Sequence, residues 1–363
     1  MARRGENIYK RKDGRWEGRY KAGFDASGRT RYRSVYARTY SEVKAKLAEM
    51  KQSQEQFKSA GNLTVRNLFV EWLGAVKMKV KESTYANYLM KIDKHLIPVF
   101  GKVSYEKLSA KAVHSFMECK MNEGLSPKYV SDIVVVFKSM TKYMSREYGY
   151  QNPLANVILP KAEKKSMRLL SEEQQKSMYK AAMQDTDTTK LGILLSYFTG
   201  LRIGEVCGLQ WSDIDFEKRI LTVSRTVQRI SDRSNGTSTR LYVGSPKSKA
   251  SERSIPLPAF MVELLLKHKK NEAAYVLSGT QKLVEPRTMQ YRFAAFLKRA
   301  ELPSVNYHTL RHMFATNCVK LGFDVKTLSE LLGHSSVETT LNRYVHSTME
   351  RKAACMELIV AAA

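Results

Sequence analysis

The chain has 363 residues, with 61 lysines and arginines against 35 aspartates and glutamates, a formal net charge of +26. That imbalance exceeds what solubility requires and points to a polyanionic partner, and the length allows roughly two or three domains. Cys119, Cys207, Cys318 and Cys355 follow no CxxC or CxxH spacing, against a zinc site or a disulfide framework; Cys207 and Cys318 read as small core residues. With no apolar run of membrane-spanning length and no signal-peptide hydrophobic stretch, a cytoplasmic protein is expected.

Residues 1–60 read as a small basic unit. Ile8 to Arg11, a Lys12-Asp13-Gly14 turn and Arg15 to Ala22 form a hairpin, and a third strand follows the turn at Asp25 to Gly28. Arg15, Arg19 and Lys21 alternate onto one face of the second strand, with Trp16 and Tyr20 on the other; Arg29, Arg31 and Arg33 alternate on the third. Thr39 and Glu42 have capping-box spacing for a helix carrying Val43, Leu47 and Met50. The expectation is a three-stranded sheet with one face on a helix and the other studded with arginine. Such a face is either a groove reader or a solvated basic surface. The polar stretch Ser53 to Gly61 reads as a linker.

Residues 62–160 read as an all-helical bundle. One helix starts at Thr64; a second starts at Ser83 or Thr84 and is ended by Pro98; a third starts at Ser109 and a long fourth at Ser126-Pro127. Lys77, Lys79, Lys81, Ser83, Thr84 and Tyr85 gather phosphate-binding side chains at a helix start, although a solvated charge run has the same appearance. Pro160 to Lys165 is a charged linker.

The last domain is expected over residues 168–350. Ser171 and Gln174 open it with a capping box, and an apolar helix from Leu191 to Phe198 ends at Thr199-Gly200. The turn TGLRIGE then sets Arg202 between two glycines at a helix start, where backbone can approach backbone or ligand closely. Strands are expected at Ile220 to Val227 and around Leu241 to Val243. A polar turn, PKSKASERSIPL, carries Lys247 and Lys249 into Ile255 and Leu257. From His308 to Tyr344 come three short helices. The first has Leu310, Met313, Phe314 and Val319 on one buried face, with His308 and Arg311 together in its first turn. Gly322 and Gly333 end the first and second helices, His334 lies on the connector, and Ser335 with Glu338 opens a third helix that delivers Tyr344. Two histidines, an arginine and a tyrosine held on tightly punctuated helices constitute a site. Residues 351–363 form a tail; Met349, Ala353, Met356 and Val360 recur on one helical face and dock either on their own domain or on a neighbouring protomer.

Taken in order, TGLRIGE, PKSKASERSIPL, HTLRH, LLGH and the tyrosine ten residues beyond His334 resemble the tyrosine recombinase family of the phage-integrase type. The resemblance implies a multidomain α+β architecture: a sheet-plus-helix N-terminal domain at 1–60, similar to the arm-binding domain of phage and conjugative-transposon integrases; an all-α core-binding bundle at 62–160; and a mainly α catalytic domain with a small antiparallel sheet at 168–350. It implies a catalytic set of Arg202, Lys247, His308, Arg311, His334 and Tyr344, supported by Glu205; within the polar turn Lys247 matches best and Lys249 is the fallback. In that chemistry Tyr344 attacks a DNA phosphodiester, leaving a 3′-phosphotyrosine and a 5′-hydroxyl, and a second strand's 5′-hydroxyl rejoins the exchanged strands. Arg202 and Arg311 clamp the non-bridging oxygens and His334 adds a hydrogen bond. His308 is the candidate base for a tyrosine of reference pKa about 10, Lys247 the candidate acid, and Glu205 orients an arginine. No nucleotide cofactor is expected, because the covalent linkage conserves the bond energy, and no metal, because the arginine pair takes the part that a metal pair plays in other nucleases and no carboxylate cluster is visible.

The implied partners are double-stranded DNA at core and arm-type sites, three further copies of the chain in a homotetramer on DNA, and a directionality factor, in a nucleoid-associated bacterial setting. Integration and excision of a mobile element is the expected function. The alternatives are a Xer-like resolvase, a type IB topoisomerase, or a non-catalytic DNA-binding regulator on the same scaffold.

Overall fold

A computed structural model describes residues 7–24, 30–59, 63–162, 169–232, 239–246 and 249–344. The chain divides into two units, Met1–Lys165 and Ser166–Ala363.

The first unit opens with an antiparallel sheet of β1 (Ile8–Lys10), β2 (Trp16–Phe24) and β3 (Thr30–Ala37), in that order. α1 (Tyr40–Ser59) follows; Thr39 and Glu42 exchange the two capping-box hydrogen bonds, at 3.3 and 3.4 Å. Val43 and Leu47 of α1 pack on Ile8, Tyr20, Trp16 and Val35. The helix runs on to Ser59, through the stretch expected as a linker, because Gln, Glu and Lys are good helix formers without an apolar stripe.

Register decides which arginines share a face. Arg19 lies opposite Ser34 and Tyr20 opposite Arg33. Arg33 therefore belongs to the face of Tyr20 and Val35, away from Arg19, contrary to the expected single basic face. There Arg33 Nη1 bonds Glu147 Oε2 at 3.2 Å.

The bundle comprises α2 (Val65–Lys77), α3 (Glu82–Lys91), α4 (Ile97–Phe100), α5 (Ala110–Asn122) and α6 (Pro127–Tyr148). Thr64, Ser109 and Ser126 cap α2, α5 and α6, as their positions predict. Pro98, however, does not end the second helix. A π-turn at Ile92–Leu96 joins α3 to α4, and Ile97 N–H reaches back five residues to Ile92 O. The wider turn accommodates a residue that has no N–H and whose ring crowds the preceding turn. α6 supplies the centre of the core through Val130, Ile133, Val134, Phe137, Met140 and Met144.

The second unit is mainly helical. α7 (Glu172–Met183), α8 (Thr188–Thr199) and α9 (Ile203–Gly208) precede β4 (Ile214–Asp215), β5 (Ile220–Val223), β6 (Thr226–Ser231), β7 (Thr239–Gly244) and β8 (Arg253–Pro256). β4, β5 and β8 form one antiparallel sheet, while β6 and β7 form a separate hairpin. The single strand expected from Ile220 to Val227 is broken at Ser224-Arg225, where Arg225 Nη1 bonds Asp213 Oδ2 at 2.8 Å. The polar turn after β7 is accordingly a crossover from the hairpin to the sheet. α10 (Ala259–His268), α11 (Pro286–Arg299), α12 (His308–Lys320), α13 (Val325–Leu332) and α14 (Val337–Tyr344) complete the unit.

α12 is buried on most of its circumference, so the expected single apolar face understates it: Thr309, Leu310, Arg311, His312, Met313, Ala315, Cys318 and Val319 are all buried. Cys207 is buried as well. Among the described residues no helix is long and apolar enough to cross a membrane.

Candidate active site

Three helix ends carry the site. α8 stops at Gly200, whose φ of +67° is the left-handed cap that glycine favours, and a Cβ there would sit 2.5 Å from Phe314 Cδ1. The chain turns through Leu201 and Arg202 into α9. α13 begins on Asp324, whose side chain accepts from Thr327 N, and stops at Gly333 with φ +63°. α14 opens on Ser336, whose Oγ accepts from Glu338 N at 3.2 Å, one residue beyond the expected Ser335. These stops bring Arg202, Arg311, the turn at Gly333-His334 and Tyr344 to one place.

Glu205 anchors the arginines. Its Oε1 accepts from Arg202 Nη1 at 2.7 Å and its Oε2 from the Arg202 backbone N–H at 2.9 Å. Arg253 donates to both carboxylate oxygens as well, at 3.3 and 3.0 Å. Burial opposes the ionised carboxylate, yet the guanidinium of Arg253, then that of Arg202, holds its pKa below the usual glutamate range. Arg253 was not singled out from the sequence. Its Nε donates to Leu331 O at 2.6 Å and its Nη1 to Ser251 O at 3.1 Å, so it ties the start of β8 to the end of α13.

Arg311, 1% exposed, donates from Nη1 to Gly200 O at 2.7 Å and from Nη2 to Leu332 O at 2.5 Å. Arg202 Nη2 reaches Gly333 O at 3.2 Å. Burial, then the like charge of Arg202, pushes Arg311 down to about 9. A guanidinium does not give up its proton in practice, so Arg311 is a buried positive charge bonded to backbone carbonyls. Three arginines face one carboxylate here, and the deficit favours an anion.

Tyr344 is buried at 9% exposure, packed with Ala315, Cys318, Val319, Leu328 and Leu332. Its hydroxyl lies 2.6 Å from Nδ1 of His312, a second residue missed from the sequence although it stands within HTLRH. Spacing was the available signal: His308 and His312 are four apart and share a helix face, and their rings meet edge-on at 4.6 Å. His308 itself is exposed. His334 Nδ1 bonds Thr340 Oγ1 at 2.8 Å, which orients its ring parallel to Tyr344 at 6.4 Å. Lys247 lies outside the described residues. Lys249 opens a short 3₁₀ turn, Lys249–Ser251, and its side chain is outside them too. The neighbouring tyrosine, Tyr307, is buried and bonded to Ser196 Oγ and Gly192 O, both at 2.9 Å, inside the hydrophobic core, and burial raises its pKa.

In the first unit, the outer face of the sheet is organised by buried Glu17. It accepts from Ser34 at 2.6 Å and from Arg19 and Arg11 at 3.0 Å each. The Ser34 hydroxyl and, against partial burial, those two arginines hold the Glu17 carboxyl down at about 2. Arg19 lies over the Tyr9 ring and Arg15, bonded to Asp13, over Tyr36. Lys21 is exposed on β2; Arg29 and the Arg31 side chain lie outside the described residues. Lys77 ends α2, Lys79 is in the turn and Lys81 is the N-cap of α3, all exposed, with Thr84 and Tyr85 half-buried in the first turn of α3.

A mainly helical domain that gathers arginines, histidines and a buried tyrosine at its helix ends is the arrangement of a tyrosine recombinase. Residues 168–351 match the phage integrase family, and residues 64–120 match the phage integrase N-terminal SAM-like domain. The chain belongs to the phage integrase family. It is 26% identical over 358 residues to the ICEBs1 integrase of Bacillus subtilis (strain 168), covering 94% of this chain and 95% of that protein. It is 26% identical over 369 residues to a XerC-like tyrosine recombinase of Caldanaerobacter subterraneus subsp. tengcongensis, covering 93% of each. In structure it is similar to the Tn1549 transposon integrase in complex with a circular intermediate DNA, with a TM-score of 0.67 at 22% identity, covering 82% of this chain and 99% of that one. A lambda integrase dimer bound to a COC′ core site gives a TM-score of 0.59 at 18% identity, covering 95% and 97%. At those identities the structural likeness speaks for the fold alone.

Proposed function

We propose that this chain is the integrase of a mobile genetic element, cleaving and rejoining double-stranded DNA at specific sites through a 3′-phosphotyrosine at Tyr344. The observation that carries the reading is the under-compensated cluster of Arg202, Arg311 and Arg253 beside a buried tyrosine. A phosphodiester supplies the missing negative charge, and forked guanidinium donors match its non-bridging oxygens. Arg202 and Arg311 stabilise the charge that accumulates in the pentacoordinate transition state. His334, its Nδ1 committed to Thr340, acts through its other ring nitrogen, and His308 completes the basic rim. A lysine of the crossover after β7, Lys247 or else Lys249, protonates the departing 5′ oxygen. The catalytic domain is assigned to residues 168–350, the core-binding bundle to 62–160 and the arm-type DNA-binding domain to 1–60, where Arg15, Arg19 and Lys21 meet phosphate; Lys77, Lys79, Lys81, Thr84 and Tyr85 do so from the bundle.

Four copies act together on paired sites with a directionality factor, in the nucleoid. A lambda integrase tetramer bound to a Holliday junction, similar to this chain in fold, supports the four-copy part of that reading. A suicide substrate, nicked so that the cleaved end diffuses away, tests the reading: covalent protein–DNA complex is expected from the wild type and none from Tyr344→Phe. DNA binding without any covalent complex from the wild type would instead favour a non-catalytic regulator.

A further inference from the structure

We infer that His312 is the base that takes the proton from Tyr344. The assignment rests on Tyr344 as nucleophile and replaces the exposed His308 in that role. His312 Nδ1 lies 2.6 Å from the Tyr344 hydroxyl, within the distance at which a proton passes directly between two heavy atoms. Both partners sit on short elements fixed by packing, His312 2% exposed in the middle of α12 and Tyr344 at the end of α14. With its own proton on Nε2, the imidazole presents a lone pair at Nδ1 to the phenol O–H.

The groups around the pair are His308, Arg311 and Cys318 on α12, His334 in the turn after α13, and Arg202, Glu205 and Arg253 beyond Arg311. This surplus of positive charge favours tyrosinate but opposes a second cation on the imidazole. A phosphodiester bound by the arginines removes that opposition, so the base becomes effective when substrate is present. In the step itself the Tyr344 Oη–phosphorus bond forms and the bond to the 5′ oxygen breaks. The phenolic proton passes to His312 Nδ1, and the 5′ oxygen takes a proton from its own donor. On rejoining, the imidazolium returns its proton to Tyr344.

The test is the rate of covalent complex formation on a nicked suicide substrate under single turnover, across pH, for the full chain carrying His312→Gln or His312→Asn. Both variants keep a polar group near the hydroxyl and cannot serve as the base. The wild-type rate should level off well below the tyrosine range. The variants should be slower by roughly 10²–10⁴-fold at neutral pH, with DNA affinity retained, and should climb about tenfold per pH unit towards pH 10 as the phenol ionises unaided. Wild-type rates in the variants would overturn the inference, as would faster ones, which would make His312 a restraint, or a slowing that is equal at every pH, which would make it scaffold. Should both variants fail to fold, the wild-type profile decides together with His308→Gln at the exposed ring. A plateau below about pH 9 that survives His308→Gln supports His312; a plateau that disappears transfers the role to His308, and no plateau at all excludes a base. Covalent complex from Tyr344→Phe would sink the underlying reading instead, independently of His312.

Discussion

Arg253 and Glu205, separated by 48 residues of sequence, form a bidentate pair at 3.0 and 3.3 Å with side chains 6% and 3% exposed. The same carboxylate holds Arg202, so Arg253 positions Arg202 through Glu205. Removing one partner of a buried ion pair leaves the other charge poorly compensated, at about 3–5 kcal/mol. Arg253→Leu should lower the urea unfolding free energy of the full chain by that order, and Arg253→Lys by less, since an ammonium cannot fork. A loss under about 1 kcal/mol for Arg253→Leu would show the pair to be dispensable.

The depressed Glu205 pKa sets an acid limit. A carboxylate whose folded value lies below its unfolded one stabilises the fold above the ordinary glutamate value, about 4.5, and that contribution is lost as pH falls through the depressed value. Thermal midpoints should therefore fall below about pH 4.5, and Glu205→Gln should flatten part of the fall while lowering the midpoint at neutral pH. A midpoint in Glu205→Gln with the wild-type pH dependence would contradict this.

The arginine cluster should welcome a simple anion. Sulfate at ten times its dissociation constant is expected to stabilise the fold by about 1.4 kcal/mol, by mass action on the folded state. Differential scanning calorimetry in sulfate against chloride at matched ionic strength reads the effect. Arg202→Ala should abolish most of it; an equal sulfate response in that variant would place the anion elsewhere.

Gly333 is constrained twice. Its φ is +63°, and a Cβ would stand 3.0 Å from both Ala250 O and Arg253 Nη1. Gly333→Ala should cost about 1–2 kcal/mol from the backbone alone, more if Arg253 is displaced, and should slow cleavage by shifting His334. Unfolding free energy and single-turnover cleavage within error of wild type would show that the turn relaxes freely.

The sheet offers a contrast between two arginines. Arg19→Ala should weaken binding to arm-type DNA and reduce the slope of log affinity against log salt by roughly 0.9, the value for one phosphate contact. Arg33→Ala, on the other face and bonded to Glu147, should leave that slope unchanged. Equal slopes for the two variants would mean that the face assignment from strand register does not govern binding.

These arginines also show where sequence reading stops. Alternation along one strand is visible in sequence, but the face two strands share depends on pairing register, which the turn sets and single-strand patterns do not encode. The catalytic helices were legible for the opposite reason: Gly200, Gly322 and Gly333 are local signals whose effect does not depend on distant partners. Arg253 was hidden because its partners, Glu205 and Leu331 O, lie far along the chain, so locally it resembled the other cations of a polar crossover. His312 was legible in principle, being one helical turn from His308.

Arg311 fastens two helix ends at once, since Gly200 O and Leu332 O are the terminal carbonyls of α8 and α13. One side chain thus serves as a shared C-terminal cap for segments more than a hundred residues apart, and the geometry that holds the fold closed is the geometry proposed above to receive the phosphate. A change to lysine, whose ammonium cannot fork to both carbonyls, would here loosen two helices before any substrate arrived.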